Sequence, residues 1–249
     1  MNRIIYSTLL ASSILFSTGC KKDDTTTTSS TTTNTTAPAI YKKIYGATDL
    51  YVDGNFIVIK STGLPDHKSP YYATTNSLYE AYNGTNASWS KNSNTIASSS
   101  YTFKIPANPV VATTHAATPL GAIGISLNGV PFYNQYAGPS QPLTTEINSF
   151  DQYNGHPQQQ GLYHYHVEPT YLTAKTSESS LLGFLLDGFP VYGPTENGLT
   201  ITNADLDAYH GHTAATADYP DGIYHYHITS ADPYINGSGF YGTAGTVSQ

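Results

Sequence analysis

The sequence predicts an all-β fold: a single sandwich or barrel-like domain of short antiparallel strands, with an internal duplication whose copies are related by a pseudo-twofold. Three observations predict it. Asp, Glu, Lys and Arg make up only 11% of the residues while Tyr reaches 22 copies, a composition that favours strands and turns over amphipathic helices. From Ile40 onward, turn residues punctuate the chain about every 8–12 residues and no helical periodicity is sustained. Finally, the second half of the chain matches itself.

Taken in chain order, the first element is an export signal over residues 1–19. Arg3 precedes an apolar run from Ile4 to Phe16, too short for a membrane span of about 20 residues. Ser17-Thr18-Gly19-Cys20 resembles the lipobox of bacterial lipoproteins, which makes Cys20 the expected lipidation site and the new N-terminus. Lys21-Lys22-Asp23-Asp24 resembles the signal that carries some Bacteroidota lipoproteins to the cell surface, so the expected location is the outer membrane, facing outward. Thr25 to Thr36 has almost nothing to bury and reads as a flexible tether, which places lipidated Cys and tether at 20–39. The folded domain is expected over 40–249.

Asp49 to Lys60 reads as a hairpin, with Val52-Asp53-Gly54-Asn55 turning and Phe56-Ile57-Val58-Ile59 as a β-branched strand. Residues 78 to 100 read as a long polar loop without chemistry of its own. The repeat units span about 121–169 and 181–233. Ile125-Ser126-Leu127-Asn128-Gly129-Val130-Pro131-Phe132-Tyr133 matches Phe184-Leu185-Leu186-Asp187-Gly188-Phe189-Pro190-Val191-Tyr192, a strand, turn and strand in each copy. Asp151-Gln152-Tyr153-Asn154-Gly155-His156 then matches Asp207-Ala208-Tyr209-His210-Gly211-His212. Gly161-Leu162-Tyr163-His164-Tyr165-His166 matches Gly222-Ile223-Tyr224-His225-Tyr226-His227.

The Tyr-His-Tyr-His string carries the chemistry. Side chains two apart on a strand share a face at roughly 6.5–7 Å, so His164 projects with His166 and His225 with His227. Such a pair supplies two of the three or four imidazoles that a zinc, copper, iron or nickel ion takes. The Gly-His of each copy adds His156 and His212, its Gly read as a loop hinge, and His67 is a further candidate ligand. Asp151 and Asp207 are expected behind the ligands, orienting a His through its second ring nitrogen. Tyr163, Tyr165, Tyr224 and Tyr226 are expected as supporting aromatics, and His115 and His210 as surface or supporting residues. Whether the six repeat histidines hold one shared ion or one per copy is open at this stage. So is a reading in which they form a buried hydrogen-bond network.

These residues resemble the bacterial YHYH domain family, which shares Gly-His, Gly-x-Tyr-His-Tyr-His and the segment found here as Asp187 to Pro194. The likeness runs over roughly residues 60 to 235 and also takes in Gly63 to His67. It implies the duplicated histidine unit but no particular reaction. Cys20 is the only cysteine, so neither a disulfide nor a thiolate ligand serves the domain.

The expected function is therefore a surface-anchored transition-metal-binding protein, with copper or zinc first and iron next. It would be an enzyme only where an ion keeps an open coordination position. The alternative is a cell-surface module for glycans or peptides. A net charge of -7 with only 10 Lys+Arg leaves no basic stripe and excludes a nucleic-acid binder. There is no Gly-x-Ser-x-Gly, Walker A or dinucleotide fingerprint.

Overall fold

The computed structural model describes residues 36–177 and 179–249. The signal segment, Cys20 and nearly all of the Thr-rich stretch lie outside the described residues. The described residues before Ile40 already take part in the fold: Ala37 is buried in the core and a 3-10 turn runs over Ala39–Lys43.

Two sheets carry the fold. Strands β1 (Asp49–Asp53), β2 (Phe56–Ser61) and β3 (Tyr101–Pro106) form an antiparallel sheet that the C-terminal strand completes. The opening hairpin is the expected one, with Asp53 opposite Phe56. Along β3, Tyr101, Phe103 and Ile105 are buried and their neighbours are not, the period of two that gives a strand one apolar face.

The large sheet is made by the repeat. The first copy supplies β4 (Ala122–Ser126), β5 (Pro131–Tyr133), a small ribbon of β6 (Tyr136–Ala137) and β7 (Gln141–Pro142), then β8 (Gly155–Pro157) and β9 (Tyr163–Tyr165). A short helix, α1 (Thr170–Lys175), leads to the second copy. That copy supplies β10 (Leu181–Leu185), β11 (Pro190–Tyr192), a ribbon of β12 (Thr195–Glu196) and β13 (Leu199–Thr200), then β14 (Gly211–Ala214) and β15 (Ile223–His227). The last strand, β16, is Thr246–Ser248 and pairs with β3.

The order β14-β15-β11-β10-β4-β5-β9-β8 reads the same from either end once the copies are exchanged. The twofold passes through the central antiparallel pair. Ile125 faces its own equivalent, Phe184, while Gly183 faces Ser126 and Leu185 faces Gly124. Both glycines are required there. A Cβ on Gly124 would lie 2.4 Å from the Phe184 carbonyl oxygen, and one on Gly183 2.2 Å from that of Ile125.

Two expectations are refined. The sheets are open, so the arrangement is sandwich-like and the barrel alternative falls away. The strands are not all antiparallel, because β5 pairs with β9 and β11 with β15 in parallel. Each copy leaves its hairpin by a long crossover before returning beside it, the connection that parallel pairing demands. Ile57, Ile59, Phe103 and Ile105 of the small sheet share one core with Ile123, Ile125, Phe132, Phe184, Tyr163, Tyr165 and Tyr226 of the large one.

Candidate metal centres

Period two places the tyrosines and histidines of β9 and β15 on opposite faces. On the core side, the Tyr163 hydroxyl donates to Asp151 (2.8 Å) and the Tyr224 hydroxyl to Asp207 (2.9 Å). The second tyrosines grip the hairpin turns. The Asn128 amide donates to the Tyr165 hydroxyl at 3.1 Å, and the Tyr226 hydroxyl donates to Asp187 at 2.5 Å. These four tyrosines thus support the histidine strands from behind.

The same register explains the Gly-His pairs. His156 stands directly opposite His164, and His212 opposite His225. Gly155 and Gly211 face the tyrosine side, where a Cβ would come within 2.4 Å of the Tyr163 ring and 2.5 Å of the Tyr224 ring. Their role is therefore room for an aromatic ring, not the sharp turn expected of them. The turn is taken one residue earlier, by Asn154 (φ 65°) and His210 (φ 76°).

On the other face six histidines gather into two groups of three, each joined by a glutamate: Glu146, His156, His164 and His166, and Glu196, His212, His225 and His227. Within each group the ligating atoms all lie within 4.8 Å of one another. In the first, His164 Nε2 is 3.1 Å from His156 Nε2 and 2.9 Å from His166 Nε2. In the second, His225 Nε2 is 3.2 Å from His212 Nε2 and 3.1 Å from His227 Nε2. Atoms about 2.0 Å from a tetrahedral ion stand about 3.3 Å apart, close to these separations. The centres flank the twofold on one face, their inner strands β9 and β15 five steps apart in the sheet, on the order of 24 Å at about 4.8 Å per step. One ion cannot serve both.

Hydrogen bonds at the far ring nitrogens decide what the near ones present. His164 Nδ1 donates to the Leu162 carbonyl (2.9 Å) and His166 Nδ1 to that of Asn134 (2.5 Å). In the second copy His225 Nδ1 donates to the Ile223 carbonyl (3.0 Å) and His227 Nδ1 to that of Gly193 (2.8 Å). His156 Nδ1 meets the Ser149 hydroxyl at 2.8 Å, whose own proton goes to the Glu146 carbonyl. A carbonyl only accepts, so the Nδ1 of each donating ring carries its proton and its Nε2 is a bare lone pair.

Burial, reinforced by the neighbouring histidines, pushes His164 well below the usual imidazole range. Burial likewise brings His166 and His227 down to about 4 and lowers His225. Neutral imidazoles with lone pairs converging at about 3 Å repel one another unless a cation lies between them. Glu196 Oε1 points the same way: it is buried, has no hydrogen-bond partner, and lies 3.3 Å from His225 Nε2.

The remaining sequence candidates take other positions. His67 joins neither group, since it lies on the tyrosine side with Nε2 on the Tyr165 hydroxyl (2.9 Å) and Nδ1 on the Lys68 carbonyl (3.0 Å). Asp151 and Asp207 orient no histidine. They accept from Tyr163 and Tyr224 and from backbone amides of their own loops, Tyr153 and Gly155 or Tyr209 and Gly211. Backbone carbonyls do the orienting in their place. His210 is buried behind the second centre, its Nδ1 on the His227 carbonyl, and His115 stacks on Tyr209.

Sequence reasoning missed the glutamates because they do not occupy matching positions. Glu196 ends β12, whereas Glu146 opens a 3-10 turn over Glu146–Ser149. A signal existed in the first copy, where Glu146 is the only carboxylate between Tyr133 and Asp151. The long loop also contributes more than expected: Asn92 and Asn94 both donate to the Pro157 carbonyl beside His156.

No significant match is found among curated proteins or among solved structures. The model of the family described as YHYH protein matches residues 102–198 and 195–239, taking in both hairpins and both histidine strands. The chain belongs to the YHYH protein family.

Proposed function

We propose that the protein binds two transition-metal ions, one in each three-histidine, one-glutamate group, as a surface lipoprotein anchored through Cys20. The observation that carries the reading is the tautomer: carbonyls hold the protons at Nδ1 of His164, His166, His225 and His227, so in each pair two Nε2 lone pairs converge with no proton between them, as they would around a shared cation. Imidazole-rich sites with one carboxylate suit zinc, copper and iron in preference to magnesium or calcium. A purely structural histidine network is disfavoured, because two acceptors facing each other at 2.9 Å make no hydrogen bond.

Metal analysis of protein purified without a chelating tag and reloaded in solution tests this. We expect two ions per chain, falling to one in His164→Ala and to one in His225→Ala. A wild-type protein that neither carries nor takes up any ion overturns the proposal. Anchoring is a separate question, read by metabolic labelling with a fatty acid. Label should enter the wild type and not Cys20→Ala, and an unlabelled wild type removes the anchor.

A further inference from the structure

We infer that the two centres differ in kind: the first keeps a coordination position open to a cleft that takes a small uncharged molecule with a ligating oxygen, and the second is closed by its own glutamate. This rests on the reading that both groups bind metal.

The glutamates differ in reach. Glu196 spans its cluster, with Oε2 3.4 Å from His212 Nε2 and Oε1 3.3 Å and 4.0 Å from those of His225 and His227. A carboxylate facing all three imidazoles occupies the fourth vertex of a tetrahedron, the arrangement of a closed site. Glu146 comes within 4 Å of His156 alone, at 3.1 Å. It stands at one edge of its cluster beside His156, so the three imidazoles supply the ligands and the fourth vertex, over His164 and His166, is left to whatever enters from outside.

The cavities beside the centres differ too, although His212, with 26% of its side chain exposed, is itself more open to solvent than His156 at 3%. All four groups of the first centre line one cleft of about 500 Å³. Of the second centre only Glu196 and His227 line the neighbouring cavity. The first cleft's walls bear four carboxamides, Asn92, Asn94, Gln158 and Gln159, with the aromatic Tyr133 and Tyr136, and no Lys or Arg. Carboxamides and aromatic rings hold hydroxyl- and amide-bearing molecules. A phosphate or dicarboxylate would meet no cation besides the ion itself, and Glu146 would repel it.

The test uses cobalt(II) as a visible stand-in. The wild type is loaded with cobalt, as are His212→Gln/His225→Gln, which keeps the first centre, and His156→Gln/His164→Gln, which keeps the second. Each is then titrated with azide. We expect the visible band to shift in the variant keeping the first centre and not in the other, and the wild type to bind one azide for every two cobalt ions. The wild-type stoichiometry holds whether or not the variants fold. A shift at both centres, at neither, or at the second alone overturns the inference while leaving metal binding intact. Failure of the wild type to hold cobalt or any other ion overturns the underlying reading itself.

Acetamide and acetate, two oxygen ligands of the same shape that differ in charge, then test ligand class. Normalised to affinity for aqueous cobalt, the uncharged acetamide should displace azide at least tenfold more effectively. Equal potency, or acetate ahead, overturns the class assigned.

Discussion

What equips a histidine here to hold a metal is the atom at its back. His164, His166, His225 and His227 each have Nδ1 committed to a carbonyl, so tautomer and ring direction are set before any ion arrives. The glutamates add charge, and Glu196→Gln isolates that contribution, since the carboxamide keeps the shape and loses the negative charge. Affinity at the second centre should fall at least tenfold with the first unchanged, as read by competition with a chromophoric chelator; an unaltered affinity would remove Glu196 from the ligand set. His210 isolates a backbone effect. Its φ of 76° matches the 65° of its repeat equivalent Asn154, so His210→Asn should fold normally, whereas His210→Val should cost about 1–2 kcal/mol in denaturant titrations. Burial also brings His210 down to about 4. Below about pH 6.5 the unfolded chain takes up a proton that the folded one refuses until about 4, so stability falls across that window by at most about 1.4 kcal/mol per pH unit from this residue. His210→Asn should therefore flatten the acid limb of the stability profile, and a variant with the same acid limb as the wild type would show that the ring is not held neutral.

At the scale of strands, what was legible in the sequence follows from periodicity. His164 with His166, and His225 with His227, were readable because alternation on a strand is a local rule. The tyrosine face was readable as packing for the same reason. The pairing of His156 with His164 across two strands depends on register, and only the repeat hinted at it. Glu146 and Glu196 escaped because repeat matching finds equivalent positions, while these side chains reach the same place from loops of different length. The parallel pairs β5–β9 and β11–β15 escaped because a crossover is a long-range property. The central pair β4–β10 gives the sharpest test at this scale. Gly183→Ala puts a methyl 2.2 Å from a backbone oxygen, which no rotamer can relieve, so the strands must part. We expect a loss of about 1–3 kcal/mol, with Gly124→Ala behaving alike across the twofold. Unchanged unfolding midpoints in both variants would mean that the two copies are not packed this closely.

At the scale of the molecule, each ion would be a staple as well as a ligand. In the first copy it would join the turn carrying Glu146, edge strand β8 through His156, β9 through His164, and the residue that follows β9, His166. In the second it would join the β12–β13 ribbon, edge strand β14 and β15. Both edges of the eight-stranded sheet would thus be tied to its interior by metal, whereas the central pair is held by backbone hydrogen bonds and packing. Removing metal should then loosen the edges first. An ion present at 100 times its dissociation constant stabilises by about 2.7 kcal/mol, which for a domain of this size corresponds to roughly 5–10 °C in melting temperature for each centre. Centres some 24 Å apart share no ligand, so their contributions should add. The wild type stripped with a chelator should lose both increments, and metal-loaded His164→Ala and His225→Ala should lose about one each on top of the cost of the substitution in the metal-free state. Hydrogen exchange should show the lost protection confined to β8 with β9, or to β14 with β15, according to which centre is emptied. Stripping that leaves both melting temperature and edge-strand protection unchanged would mean that the histidine groups hold no ion that the fold feels.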